Sequence, residues 1–276
     1  MPTTVIDLRR FKRDGQRFVM LTCYDYQCAR IFDEVGIPLI FIGDTLGIMV
    51  LGYETTLPVT MEAMVHHCQA VSRGVREALV IGDLPFGSYE VSVEQGVANG
   101  IRLVKEGGVA VVKLEGPEVG VIEALTSHGV PVMAHLGFTP QSFHASGGNR
   151  VQARSEEAVA RLLQDAKRVE SAGACALVLE AIPSEAARRV TEALDIPTIG
   201  IGAGPHCDGQ VLVSTEMLGL TEGPGPKFAK RYADLRGQIA SAARSFAEEV
   251  ANGVYPDPEH SYDWAIRSHE ERSTGP

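Results

Sequence analysis

The feature that most limits what this chain can become is a series of short apolar runs, each stopping at a polar residue or a glycine. FVMLTCYD (18–25), IPLIFIGD (37–44), ALVIGD (78–83) and VAVVKLE (109–115) are followed by VPVMAH (130–135), CALVLE (175–180), IPTIGIGAG (196–204) and QVLVS (210–214). The runs are rich in Val, Ile and Leu and lack the period-two alternation of a half-buried strand. They read as strands covered on both faces, the condition of a parallel sheet. Between them lie segments with helical spacing: Tyr26 to Val35, Met61 to Gly74, Val93 to Glu106, Glu118 to His128, Glu156 to Ala172 and Ser184 to Leu194. The clearest is SEEAVARLLQDAKRVESAG, in which Ser155 is placed to cap, Ala158, Leu162, Ala166 and Val169 share a face, and Gly173 ends the helix.

About eight strand–helix units, with no Pro/Gly/Ser linker dividing them, predict one closed (β/α)8 TIM barrel over residues 1–262. An open doubly wound sheet is the alternative. Leu8 to Arg13 would add an N-terminal helix and Phe228 to Asn252 a C-terminal one, and residues 263–276 read as a polar tail of the kind that stays disordered. With 45% hydrophobic and 22% charged residues the chain can bury one substantial core. Its net charge is -10 and its 25 Lys and Arg are scattered, which speaks against a nucleic-acid partner. No run approaches the roughly 18 apolar residues of a membrane span, and the N-terminus has no apolar signal region. Cysteines at 23, 28, 68, 175 and 207 form no CxxC pair, so reduced thiols in a cytoplasmic protein are expected.

In a parallel barrel the active site lies at the carboxyl ends of the strands, so a polar residue ending an apolar run points into the mouth. Here those residues are Asp25, Asp44, Asp83, Lys113 with Glu115, His135 and Glu180. An Asp after a strand commonly caps the next helix, and Asp25 is read that way. For Asp44, Asp83 and Glu115 two readings stand: helix caps, or ligands of a cation, because acids converging on one mouth repel unless something neutralises them. A hard divalent ion, Mg²⁺ first, suits oxygen donors. Lys113 and Glu115, two apart on one strand, share a face, and a lysine so placed suits anion binding. His135 is a core histidine or a substrate donor. Glu180 is a fourth ligand, a helix-start acid, or a general base beside the metal. Gly200, Gly202 and Gly204 predict a tight loop that lets backbone approach a ligand, since no further glycine opens a helix as a dinucleotide site requires. His66, His67 and Cys68 lack ligand spacing and read as a partly exposed helix face.

In order along the chain from about residue 3 to 262, TCYDYQCARIFDEVG, IGDTLGIMVLGYETTLPVT, GDLPFGSY, VKLEG, HLGFTPQS, VQAR, LVLEAIP, IGIGAG and YPDPEHS resemble the ketopantoate hydroxymethyltransferase family. The resemblance implies a barrel of the phosphoenolpyruvate/pyruvate superfamily type, assembled as a homo-oligomer, a decamer first. It implies transfer of a hydroxymethyl group from 5,10-methylenetetrahydrofolate to 3-methyl-2-oxobutanoate through a Mg²⁺-stabilised enolate, giving 2-dehydropantoate for pantothenate synthesis. Carried over residue by residue, Asp44, Asp83 and Glu115 match the magnesium ligands. Asp44, Thr45, Asp83, Lys113 and His135 fall in the oxo-acid site, and Glu180 matches the catalytic base. Thr45 stands where the family has the serine of GDSLG, Ile48 where methionine is common, and Asn149 at a usually aromatic loop position. Two rivals are a superfamily lyase or mutase, against which the lack of a KKCGH-type motif counts, and a non-catalytic metabolite-binding barrel. Retention of the acids, Lys113 and Glu180 together counts against the second.

Overall fold

The computed structural model describes residues 2–148 and 150–262, and the chain forms two compact units, Met1–Tyr232 and Ala233–Pro276. In the first unit, parallel strands β1 (Phe18–Thr22), β2 (Leu39–Ile42), β3 (Leu79–Asp83), β4 (Val111–Glu115), β5 (Val132–Gly137), β6 (Ala176–Glu180), β7 (Thr198–Ile201) and β8 (Gly209–Leu212) pair in sequence order. The last strand pairs with the first, Phe18 opposite Gly209 through Leu21 opposite Leu212, so the sheet closes as expected and is not an open layer. The helices of this unit are α1 (Val5–Arg13), α2 (Tyr26–Glu34), α3 (Leu46–Met49), α4 (Met61–Gly74), α5 (Val93–Arg102), α6 (Val119–Ser127), α7 (Phe143–Ser146), α8 (Glu156–Ser171), α9 (Ser184–Ala193) and α10 (Ser214–Met217). The second unit contains α11 (Leu235–Ala251).

The continuous apolar runs are explained by two cores. Phe18, Met20, Leu39, Phe41, Leu79, Ile81, Val111, Met133, Val178 and Ile199 pack inside the barrel. The residues between them, such as Ile40, Val80, Val112, Leu114, Val132, Leu177 and Leu179, pack outward among the helices. Strands β2 to β7 are therefore buried on both faces along most of their length, whereas β1 leaves Val19 exposed and β8 leaves Gln210 and Leu212 half-buried. The N-terminal helix begins at Val5, earlier than expected, and stops the amino end of the barrel: Leu8 and Phe11 join the inner core. The Phe11 ring lies 5.3 Å from that of Phe18. Lys12 Nζ fastens the helix, donating to Thr191 O at 2.8 Å and Asp208 Oδ2 at 3.0 Å.

Several expectations are sharpened or overturned. In α8 the Ser155 hydroxyl accepts from the Ala158 N–H as expected, but Val159, not half-buried Ala158, completes the buried face. The helix expected over 93–106 is α-helical only to Arg102 and continues as a π-helical turn, Leu103–Gly107. Cys68 is wholly buried, its sulfur close to Gly82 and its Cβ close to Gly107. The expected exposed face is limited to His66 and half-buried His67. The glycine loop at 200–204 does approach other groups closely, but these are protein atoms: a Cβ on Gly202, whose φ is +62°, would lie 2.7 Å from Phe228, and one on Gly204 would meet Ser184.

The single unit expected to reach residue 262 instead divides at Tyr232. The stretch before it stays on the barrel, with Phe228 over Gly202 and Tyr232 N–H donating to Met217 O at 2.8 Å. This is why the C-terminal helix starts at Leu235 and not Phe228, capped where Asp234 Oδ1 accepts from the Gly237 N–H at 3.0 Å. None of the α11 residues is buried. All five cysteines are free, and no described helix is long and apolar enough to cross a membrane. Asn149 and the 263–276 tail lie outside the described residues.

Candidate active site

The two-residue period that aims Val111 into the barrel carries on to Lys113 and Glu115. In the same way Ile81 leads to Asp83, Met133 to His135 and Val178 to Glu180. Strand register then sets Asp83 beside Lys113 and Glu115 beside His135. With Asp44 and Thr45, just past β2, these residues line one cavity of about 200 Å³. The structure thus brings all the expected site residues together. Asp25 stands apart and caps α2, accepting from the N–H groups of Gln27 and Cys28, each at 2.9 Å.

Lys113 Nζ donates to Asp83 Oδ2 at 2.8 Å and to Glu115 Oε1 at 3.3 Å, and the Asp44 N–H reaches Asp83 Oδ2 at 3.3 Å. His135 lies between two carboxylates, Nδ1 at 3.5 Å from Glu115 Oε1 and Nε2 at 3.3 Å from Glu180 Oε2. Neither ring nitrogen makes a hydrogen bond, so with His135 protonated these are charge contacts. Asp44, Asp83, Lys113, Glu115 and His135 are all buried, whereas the Glu180 side chain is 18% exposed.

Burial at this density shifts the titrations. Desolvation, then the neighbouring Asp83, holds the Asp44 carboxyl well above the usual range, and desolvation lifts Asp83 to about 6 even against Lys113. Burial alone would neutralise Lys113, but Asp83, Glu115 and Asp44 outweigh it and keep the ammonium charged. Burial and Lys113 pull His135 down, yet Glu115 and Glu180 raise it to about 9. Glu115 ends below its usual value because Lys113 and His135 outweigh its own desolvation. Two buried acids thus resist ionising together, and the site has room for further positive charge.

The donor set fits a hard cation in one definite respect: Asp83 Oδ1 is buried without a hydrogen-bond partner. Among the described residues, however, no group of three or more His, Cys, Asp or Glu side chains is arranged ready to hold a metal ion. Lys113 is the physical reason, since it supplies the countercharge by bonding Asp83 and Glu115 directly.

Other site residues carry no periodic signal, although the blocks GDLPFGSY and HLGFTPQS contain two of them, Tyr89 and Gln141. Gln141 and Tyr89 are buried beside the acids: Gln141 Nε2 donates to Asp44 Oδ2 at 2.9 Å, and the Tyr89 hydroxyl to Gln141 Oε1 at 2.5 Å. Tyr89 lies in a loop and Gln141 in the short 3-10 turn Pro140–Ser142, where no periodicity marks an inward side chain. Glu216, in α10, also lines the cavity, its carboxyl raised by burial and then by Glu180. Glu180 is held by tight backbone. Ala181 after it has φ +47°, a strained left-handed turn, and a Cβ on Gly137 (φ +99°) would overlap Glu180 O.

The fold is shared with enzymes of distant sequence. A crystal structure of phosphonopyruvate hydrolase in complex with oxalate and Mg²⁺ superposes with a TM-score of 0.61 at 13% identity, covering 94% of this chain and 93% of that one. That of 2,3-dimethylmalate lyase, a PEP mutase/isocitrate lyase superfamily member, gives 0.58 at 17% identity over 95% and 93%. Nearer relatives carry one name, 3-methyl-2-oxobutanoate hydroxymethyltransferase. That of Geotalea daltonii is 52% identical over 95% of this chain and 98% of its own, and that of Saccharopolyspora erythraea 54% identical over 93% and 88%. That of Thermoanaerobacter sp. is 49% identical over 94% and 95%. The sequence pattern of one family matches residues 2–258, and this chain belongs to it: the ketopantoate hydroxymethyltransferase family.

Proposed function

We propose that this enzyme transfers a hydroxymethyl group from 5,10-methylenetetrahydrofolate to 3-methyl-2-oxobutanoate, giving 2-dehydropantoate and tetrahydrofolate. The observation that carries this reading is the division of one small cavity. A buried cluster of Lys113, Asp44, Asp83 and Glu115 shares it with the partly exposed carboxylate of Glu180 and with apolar Val178, Ile201 and Phe228. Such a cavity suits a short oxo acid with a branched hydrocarbon end.

The charged Lys113 ammonium receives the oxygens of the oxo acid, and the Thr45 hydroxyl at the rim is a further donor. Mg²⁺ held by Asp44, Asp83 and Glu115 would supply a fixed positive charge beside the oxygen where negative charge develops. Glu180 takes the proton from C3 of the oxo acid. His135, in contact with Glu180 Oε2, keeps that carboxylate in place and adds positive charge to the same region. Water releases the one-carbon unit from the two folate nitrogens as formaldehyde, leaving tetrahydrofolate; the C3 electron pair then bonds to the formaldehyde carbon, whose oxygen takes the proton held by Glu180 and becomes the hydroxyl. Support for magnesium comes from the unpartnered Asp83 Oδ1 and from the Mg²⁺ named with the distant phosphonopyruvate hydrolase. In the second unit, α11 exposes Ile239, Phe246 and Val250, which supports assembly as a homo-oligomer, a decamer first, measurable by light scattering. Free cysteines agree with a cytoplasmic location.

Incubation with Mg²⁺ and 3-methyl-2-oxobutanoate in D₂O, followed by NMR, tests the reaction. Loss of the C3 proton signal is expected, and product once tetrahydrofolate and formaldehyde are added. No exchange would sink the enolisation step. Exchange without product would favour a folate-independent lyase or mutase.

A further inference from the structure

Gln141, from the 3-10 turn Pro140–Ser142 after β5, uses every polar atom of its side chain. Its Nε2 donates to Asp44 Oδ2 and to Leu84 O, each at 2.9 Å, and its Oε1 accepts from the Tyr89 hydroxyl at 2.5 Å. Its backbone N–H donates to Glu115 Oε2 at 3.0 Å. The Tyr89 oxygen in turn accepts from the Glu115 N–H at 3.2 Å. A closed ring results, running from the Glu115 backbone through Tyr89 and Gln141 to the Glu115 carboxylate, with a branch to Asp44. The amide has one workable orientation, because a flipped amide would set its oxygen against the Asp44 carboxylate and the Leu84 carbonyl. Burial, then Glu115, pushes the Tyr89 phenol up, so it remains a neutral donor.

Neither Gln141 nor Tyr89 lines the 200 Å³ cavity, so what they do reaches the cavity through the two acids. Gln141 holds Asp44 by Oδ2 only and Glu115 by Oε2 only. Buried carboxylates with one oxygen fixed cannot swing freely, and outer partners of this kind set the orientation of ligand oxygens. We propose that Gln141 and Tyr89 are positioning residues that grip the Asp44 and Glu115 carboxylates by one oxygen each and so orient the opposite oxygens, that of Glu115 now bonded to Lys113, for a divalent cation. The inference rests on the magnesium reading of the proposed function.

The test is Mn²⁺ affinity of the full chain without oxo acid, read by electron paramagnetic resonance, with thermal midpoints as the check on folding. Tyr89→Phe keeps the ring and removes the hydroxyl, and is expected to weaken Mn²⁺ by about 10-fold. Gln141→Ala is expected to weaken it by about 10–100-fold. The double variant is expected to match Gln141→Ala, because Tyr89 acts chiefly through Gln141. A wild-type protein that binds no Mn²⁺ overturns the magnesium reading and this inference together. Wild-type binding that both variants retain in full overturns this inference alone, as does strict additivity in the double variant. Should Gln141→Ala misfold, an unchanged affinity in folded Tyr89→Phe still overturns it.

Discussion

At the amino end of the barrel the interior is hydrocarbon: Leu8 and Phe11 of α1 meet Phe18, Leu39 and Leu79. At the carboxyl end of the same strands the inward positions hold Asp83, Lys113, Glu115, His135 and Glu180. The same inward alternation of the strands serves both ends, and residue type changes along it. The floor can be filled by transfer free energy, at roughly 25 cal/mol per Å² of apolar surface. The mouth must balance desolvated charges against one another, a balance that is close to neutral at best for stability. Stability therefore concentrates at the floor and chemistry at the mouth, and substitutions at the two ends should separate these properties.

The largest expected effect is at the mouth. Glu180→Gln should lower kcat by about 10²–10⁴-fold while leaving the urea midpoint unchanged; a variant that still exchanges the C3 proton at the wild-type rate would remove Glu180 as base. Lys113→Met leaves Asp83 and Glu115 buried without their cation, and should cost about 3–5 kcal/mol in urea unfolding with EDTA present. Added Mg²⁺ should restore part of that loss, and no recovery would count against a cation bound by Asp44, Asp83 and Glu115. At the floor, Leu8→Ala should cost about 2–5 kcal/mol, with kcat per folded molecule unchanged. A comparable fall in kcat would mean that the two ends are coupled. Smallest is Lys12→Met, which removes charge-assisted bonds to Thr191 O and Asp208 and should cost about 1–3 kcal/mol by chemical denaturation.

What the sequence makes legible follows from the apolar runs: about eight strand–helix units without a linker predict closure, and the polar residues that end the runs, Asp83, Lys113, Glu115 and His135 among them, stand in the structure around one cavity. The rest depends on loops and long-range packing. Gln141 and Tyr89 lie in connections whose side-chain directions no repeat encodes. Helices α3, α7 and α10 span four residues each, too short to show a periodic face. The glycines at 200–204 announced a close approach correctly, but not that Phe228 and Ser184 were the groups approaching. Cys68 looked like part of a surface because its histidine neighbours are polar, while α4 turns it into the core.

The fastening of α1 carries a consequence for how the chain is made. Lys12 finds its partners 179 and 196 residues downstream. At about 5–20 residues per second on the ribosome, that gap lasts on the order of 10–40 s. Throughout it, Leu8 and Phe11 have no finished floor to enter. The first helix synthesised is thus among the last to be seated, and its docking reports that β7 and β8 have arrived and the ring has closed.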